Sequence, residues 1–351
     1  QLPPDGAGEV DRAQLARWLA ENAVTRIQAV RGTAFKDYAL AAPLLLYVGY
    51  ANRILGEHVC QTVIDGGPPL SFTAHFVRAE SAFTNAIVIA QAQNKTQFLQ
   101  AAYAGRASVR TWLKNWTGAA ADAALVPEAF VYSTPYNTND QTQSNSIAVA
   151  TTDQVRRNFS AWNTFYGDNF DQFKDPRTPY RKSPDTPSKV GLGTVPDLGD
   201  GKGAYGAIQY YQQRKYIPDA SGLSAAPIRL STGHEAMLII AESKLRTGDW
   251  QGALVIVNQI RAIVGVPARV ATDLNTTWTW VKLEKLIEFW MEARAVGERR
   301  RWLGDGTDTP APGDLPANLK IDDRTGKDRC WPITQQEAQT NPYLNGTKGG
   351  G

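Results

Sequence analysis

Residues able to carry covalent or metal chemistry are few and scattered in this chain. His58, His75 and His234 stand apart from one another, and no H-E-x-x-H or His-Cys grouping exists to hold a metal. No G-x-S-x-G nucleophile elbow occurs. The stretch GLGTVPDLGDGKG is rich in glycine but lacks the G-x-x-x-x-G-K-[ST] order that cradles phosphates, so it reads as a loop. Paired carboxylates are the serious enzymatic alternative. Asp168, Asp171 and Asp175 lie among aromatics, where a helical glycosidase would need two acids about 5 to 10 Å apart. Solvated loop acids account for them more simply. DGTDTPAPGD brings three Asp together without the spacing of a calcium loop. ERRRW, Glu298 to Trp302, reads as a cationic helix end favoured by the helix dipole rather than as an anion site. No catalytic residue, metal or cofactor is expected.

Binding chemistry is better represented. Sugar rings stack their C–H faces on Trp and Tyr, while Asn, Asp and Arg satisfy hydroxyls. RRNFSAWNTFYGDNFDQF, Arg156 to Phe173, mixes these types densely. Trp162 and Tyr166 are the first candidates for ligand contact, with Tyr136 and Tyr180 behind them. The plainer alternative is core packing within a loop-rich region.

The elements that must position these residues are mainly helical. VDRAQLARWLAENAVTRIQAV sets Leu15, Leu19, Val24, Ile27 and Val30 near helical period. FKDYALAAPLLLYVGYANRILGE continues the pattern until the helix-breaking DGGPPLS. Phe76, Ala79, Phe83, Ile87 and Ala90 then recur at three and four residues. Residues 128–230 are dominated by Pro, Gly, Asn, Asp, Thr and Tyr, with a helix expected at TTDQVRRNFSAWNTFYG and a short strand at AIQYYQQRKYI. Their many aromatics argue against disorder. Helices return at Ser231, and TTWTWVKLEKLIEFWMEARAVGERRRWL predicts one long helix with TT in its cap region.

A repeat organises the helical part. NWTGAAADAALV and GDWQGALVIVNQIRA share W-x-G-A. Ala107 precedes Trp116 by nine residues and Ala119 by twelve, and Ala241 stands in the same relation to Trp250 and Ala253. Small residues twelve apart on paired helices form the tetratricopeptide pattern, because antiparallel axes need Ala or Gly where they come nearest. The helices near 37–57 and 74–92 look like a degenerate third unit. The expected fold class is all-α. Helical hairpins span about 10–127 and 231–303, a loop-rich lobe about 128–230, and an extended tail 304–351, all in one domain.

Bulk properties narrow the function further. Lys plus Arg number 37 against 34 Asp plus Glu, with no basic run, so nucleic-acid binding has little support. Cys60 and Cys330 either form a long-range disulfide or remain two buried thiols. The longest apolar run is too short to span a membrane. No signal-peptide pattern opens the chain, and since position 1 is Gln rather than Met this says little about export.

Several motifs, taken in order, resemble the SusD/RagB family. They are KDPR at Lys174 to Arg177, RKY at Arg214 to Tyr216, Ala241-Glu242, Asn258 to Arg261, the Glu- and Arg-rich LEKLIEFWMEARAVGERRRWLGDG, and the closing CWPITQQEAQTNPYLNG. The chain departs from the family pattern in the acids of VGERRRWLGD, where Gly297 and Arg299 remain, and at Thr334, where the family has Pro. A lipid-carrying N-terminal Cys is also missing, Cys60 being internal. The resemblance implies a non-catalytic, cell-surface nutrient-binding lipoprotein at the bacterial outer membrane, with a lipid anchor as its membrane contact. It implies glycan or oligopeptide ligands, and a SusC-like TonB-dependent transporter barrel as partner. A protein-interaction or self-assembling scaffold, and the helical glycosidase, are the alternatives.

Overall fold

The computed structural model describes residues 7–152, 160–182, 210–218, 222–304 and 330–344. Helix α1 (Ala7–Arg31) leads through a short 3₁₀ turn into α2 (Ala41–His58), and the β1–β2 hairpin (Gln61–Thr62, Leu70–Ser71) connects α2 to α3 (Thr73–Ala92). Then follow α4 (Thr96–Trp112) and α5 (Trp116–Ala123), packed as a hairpin. Strand β3 (Val131–Thr134) precedes α6 (Ser146–Thr152) and α7 (Phe165–Phe173). The antiparallel pair β4 (Tyr180–Lys182) and β5 (Tyr211–Gln213) follows, and β6 (Ile228–Thr232) pairs back on β3. The chain returns to helix with α8 (Gly233–Arg246), α9 (Trp250–Ile263), α10 (Leu274–Glu288) and α11 (Ala295–Gly304), and the tail carries α12 (Gln335–Thr340). Among the described residues no single helix is long and apolar enough to cross a membrane.

Close helix approach explains the small residues of α2 to α4. The Phe83 ring fills a notch in which a Cβ on Gly49 or Gly105 would lie 2.6 or 2.4 Å from it. Ala41, Ala42, Ala79, Ala86, Ala101 and Ala107 are all fully buried around that contact. Dispersion between such closely spaced backbones replaces the bulk of larger side chains.

The two W-x-G-A stretches are helix starts of one design. Asn115 caps α5 by accepting from Gly118 N–H at 3.0 Å, and Asp249 caps α9 from Gly252 N–H at 2.9 Å. The cap side chain folds over the glycine so tightly that a Cβ would meet Asn115 at 2.7 Å or Asp249 at 2.4 Å. The Ala that follows, Ala119 or Ala253, is fully buried. Trp116 carries the Arg246 guanidinium 3.8 Å above its ring, so the first hairpin meets α8 there.

Three expectations change, and one open alternative is settled. The long helix ends at Glu288, and α11 begins only at Ala295. Met291 and Ala293 take left-handed backbone between them, which turns Glu292 and Arg294 inward toward buried partners. The α10 cap is Asp273, not TT: its carboxylate accepts from Thr276 N–H at 2.8 Å. On α1, Val24 is buried, but Leu15 and Leu19 are 54% exposed and Val30 87%. Cys60 and Cys330 form a disulfide, clasping the tail to the end of α2, where Trp331 stacks on His58.

Candidate functional site

Among its described residues the loop-rich part holds only short helices and strands, and buried ion pairs fasten it to α10. Arg177, just after α7, donates to Asp175 from Nε at 3.0 Å and Nη2 at 2.7 Å. The same guanidinium reaches Glu284 at 2.6 Å and Glu288 at 2.8 Å, both on α10. Lys215, following β5, meets Glu292 and the Trp290 carbonyl, each at 2.7 Å. Arg229 on β6 reaches Glu288 and Glu292. Burial alone would raise the Glu288 carboxyl, but the His234 hydrogen bond and the Arg177 and Arg229 charges hold it at about 2. Lys215 moves the other way: burial outweighs Glu292 and lowers its ammonium to about 8.

The helices are joined by the same means. Fully buried Glu242 accepts from Arg301, Arg246 and Lys285. Glu298 shares Arg301 and Lys285. Arg294 bridges Glu57 at 3.0 Å and Glu235 at 2.7 Å. Asn258 holds the Arg269 backbone by two hydrogen bonds, and Arg261 pairs with Glu284 at 3.1 Å. Far from being an exposed cationic end, ERRRW turns inward. Arg301 sits in the Glu242 cluster, while Arg300 donates to the Gly56 and Val59 carbonyls at the end of α2.

On this frame the sequence-predicted aromatics divide. Tyr166 is buried, its ring stacked 5.7 Å from Trp290, and burial raises its hydroxyl to about 12. It is a core ring, and its face is already covered. Trp162 is 45% exposed and directly follows Ala161, whose N–H donates to the Tyr211 carbonyl at 2.9 Å. Tyr180 is half-buried, with Phe170 and Tyr211 rings at 5.3 and 5.4 Å and its hydroxyl donated to Asp171 at 2.6 Å. Tyr136 is half-buried after β3, away from that cluster and near Tyr216. Tyr180 therefore belongs to an aromatic cluster, Trp162 is tied to it through the Ala161–Tyr211 backbone bond, and Tyr136 stacks on none of its rings among the described residues. Sequence reasoning missed Tyr211 and Phe170 as partners of Tyr180. Opposing residues Lys182 and Tyr211 share a face only once the β4–β5 register is known.

Two of the acids that the sequence offers for hydrolysis are engaged by other side chains. Asp175 is fully buried; burial would raise it, but its Arg177 and Asn169 hydrogen bonds lower it, the wrong direction for a general acid. Asp171 is occupied by the Tyr180 hydroxyl. Among the described residues no group of three or more His, Cys, Asp or Glu converges on a metal position. DGTDTPAPGD and GLGTVPDLGDGKG lie outside the described residues.

The model of the SusD family matches residues 94–349. No curated protein matches the chain. Among solved structures, a SusD superfamily protein from Bacteroides vulgatus superposes with a TM-score of 0.60 at 14% identity, covering 96% of this chain and 84% of that one. A SusD-like carbohydrate binding protein from Bacteroides fragilis gives 0.55 at 17% identity, over 87% and 79% of the two chains. The surface glycan-binding protein A from Bacteroides uniformis gives 0.57 at 14% identity, over 87% and 76%. At these identities the likeness is one of fold.

Proposed function

The chain belongs to the SusD family, and on that premise we propose that it captures a glycan or oligopeptide at the bacterial cell surface, without chemistry, and passes it to a TonB-dependent outer-membrane transporter. The observation that carries this reading is the aromatic patch at β4–β5. Trp162 is exposed, Phe170, Tyr180 and Tyr211 are half-exposed, and the segment bearing Phe170 and Tyr180 is fixed to α10 through Arg177. Rigid rings lose little entropy on binding, which suits stacking against sugar faces. Two similar folds carry names that mention carbohydrate or glycan binding. We assign Trp162 and Tyr180 to ligand contact, with Tyr136 at the margin.

The transporter would meet the exposed apolar stripe of α1, where Leu15, Trp18, Leu19 and Val30 face solvent. Stripes of this kind mark interaction surfaces. A tetratricopeptide-type scaffold fits the paired hairpins and their capped glycines.

Calorimetric titration with a panel of glycans tests the capture site. Trp162→Ala should weaken binding about tenfold, the loss of one stacked ring, with unchanged thermal stability. Unaltered affinity in that variant would remove Trp162 from the site.

A further inference from the structure

Buried arginines in this protein are paired with carboxylates as a rule. Arg106, Arg177, Arg229, Arg261, Arg294 and Arg301 each meet at least one within 3.1 Å. Arg53, Arg269 and Arg300 lack so close a carboxylate but meet other groups: Tyr50 and Ser231, the Phe173 and Trp280 rings, and the Gly56 and Val59 carbonyls. Among the described residues, Arg181 and Arg214 meet neither kind of partner, and both are half-buried. They are also close to each other. Arg181 stands opposite Gln212 in the β4–β5 ladder, and Arg214 N–H extends the ladder to the Pro179 carbonyl at 2.7 Å. Opposing residues share a face, so the two guanidiniums are diagonal neighbours, on the face away from Tyr180 and Tyr211. Burial, and then the Arg181 charge, lower the Arg214 pKa. Like charges held together in a partly desolvated place are unfavourable until an anion joins them.

Resting on the capture reading, we infer that Arg181 and Arg214 receive the anionic group of an acidic glycan, a sugar carboxylate or sulfate. Their planar forks match either group bidentately. Exposed Lys182 adds positive charge to the hairpin, whereas the nearby acid Asp171 is already bonded to Tyr180. A glycan fits better than an acidic peptide. An extended peptide would add to a free strand edge, but Ala161 already occupies Tyr211 on the outer side of β5. The next residue, Trp162, offers an exposed ring to a sugar.

The test is calorimetry on the whole chain with four probe types. These are an oligogalacturonate and its carboxyl-reduced form, a sulfated galactan oligosaccharide and its desulfated form, neutral malto-oligosaccharides, and poly-glutamate. An acidic sugar should bind more tightly than its neutral counterpart. The advantage should fall with salt, and should drop about tenfold or more for each guanidinium removed in Arg181→Gln and Arg214→Gln. Melting of the variants should be unchanged. Whichever matched pair shows the advantage identifies carboxylate or sulfate. Neutral sugars bound equally well, with no effect of the double variant, would overturn the acidic assignment and leave capture standing. No sugar bound at all would overturn the acidic assignment and the glycan half of the capture reading together. Poly-glutamate bound as tightly as the acidic sugar, and lost in the same variants, would overturn the choice of a glycan.

Discussion

Replacing Arg177 by Met tests whether the loop-rich lobe is held by charge. The guanidinium makes four contacts below 3.1 Å, to Asp175, Glu284 and Glu288, and is itself buried. Its removal does not orphan the three acids equally. Glu284 keeps Arg261, and Glu288 keeps His234 and Arg229. Asp175 retains the backbone N–H of residue 177, Asn169 and the more distant Arg269 charge. Breaking one side of a buried pair costs about 3–5 kcal/mol, because a desolvated charge is left behind. Most of that cost should therefore sit on Asp175. The double variant Arg177→Met/Asp175→Asn should recover about 2 kcal/mol of it, giving a large coupling energy in the cycle. Urea unfolding supplies the free energies, and hydrogen exchange locates the loosening at 174–182. A loss below about 1 kcal/mol in the single variant, or no recovery in the double, would refute charge as the fastener.

Glycine substitutions should separate two kinds of crowding. A Cβ on Gly233 would lie 2.1 and 2.2 Å from the carbonyl oxygens of Glu128 and Pro127, so Gly233→Ala must move backbone and should cost about 3 kcal/mol or more in chemical denaturation. Gly252→Ala displaces only the Asp249 cap; losing about 1 kcal/mol of capping is offset by a similar gain in helix propensity, and the midpoint should scarcely move. Reducing the Cys60–Cys330 bond opens a 270-residue loop and should cost about 2–5 kcal/mol, read as a lower melting temperature with reductant that Cys330→Ser reproduces. His75 is buried between Asn52 and Thr62, and burial, then Arg17 and Arg78, lower it to about 4. Its folded pKa is depressed, so its contribution is whole above about 6.5 and declines as pH falls toward 4, by about 3 kcal/mol at most. The Glu288 window lies lower, between about 4.5 and 2. His75→Gln should flatten the first slope and leave the second.

Helices whose faces repeat at helical period were readable along the chain, and so were the twin capped starts at Trp116 and Trp250. What escaped depended on distant partners. The break after Glu288 has no Gly or Asn to announce its left-handed residues; Met291 and Ala293 take that backbone because Glu292 and Arg294 reach Lys215, Arg229, Glu57 and Glu235. Tyr166 looked like a platform residue because it sits in a polar, aromatic stretch, but α7 turns its ring onto Trp290. Leu15, Leu19 and Val30 carry an apolar stripe that one chain alone leaves uncovered, and periodicity cannot tell a core face from a docking face. Of the site, residue types were visible in sequence, whereas neighbours such as Tyr211 required the strand register.

Buried charge and buried apolar surface divide the work here. Around Phe83, Ala and Gly let helices close to van der Waals contact, and burial there supplies stability. Arg–carboxylate pairs occur there too, as between Arg106 or Arg110 and Asp122, but the multiply connected clusters lie where α10 meets the lobe and where α8, α10 and α11 converge. Desolvation offsets much of their Coulomb attraction, so their net stabilisation is small relative to their number. Their forked geometry nevertheless fixes angle and distance in a way that apolar contact does not. This explains why Arg177 of KDPR and Lys215 of RKY serve as fasteners to α10 and its end, while Lys174 lies over the Phe170 ring of the aromatic patch. Among the described residues Arg214 is the cation of those motifs that meets no carboxylate, and it is the one placed beside Arg181 on the outer hairpin. Interior arginines here meet carboxylates, carbonyls or rings, so Arg181 and Arg214, which meet none of these among the described residues, are the two for which a partner from outside is proposed.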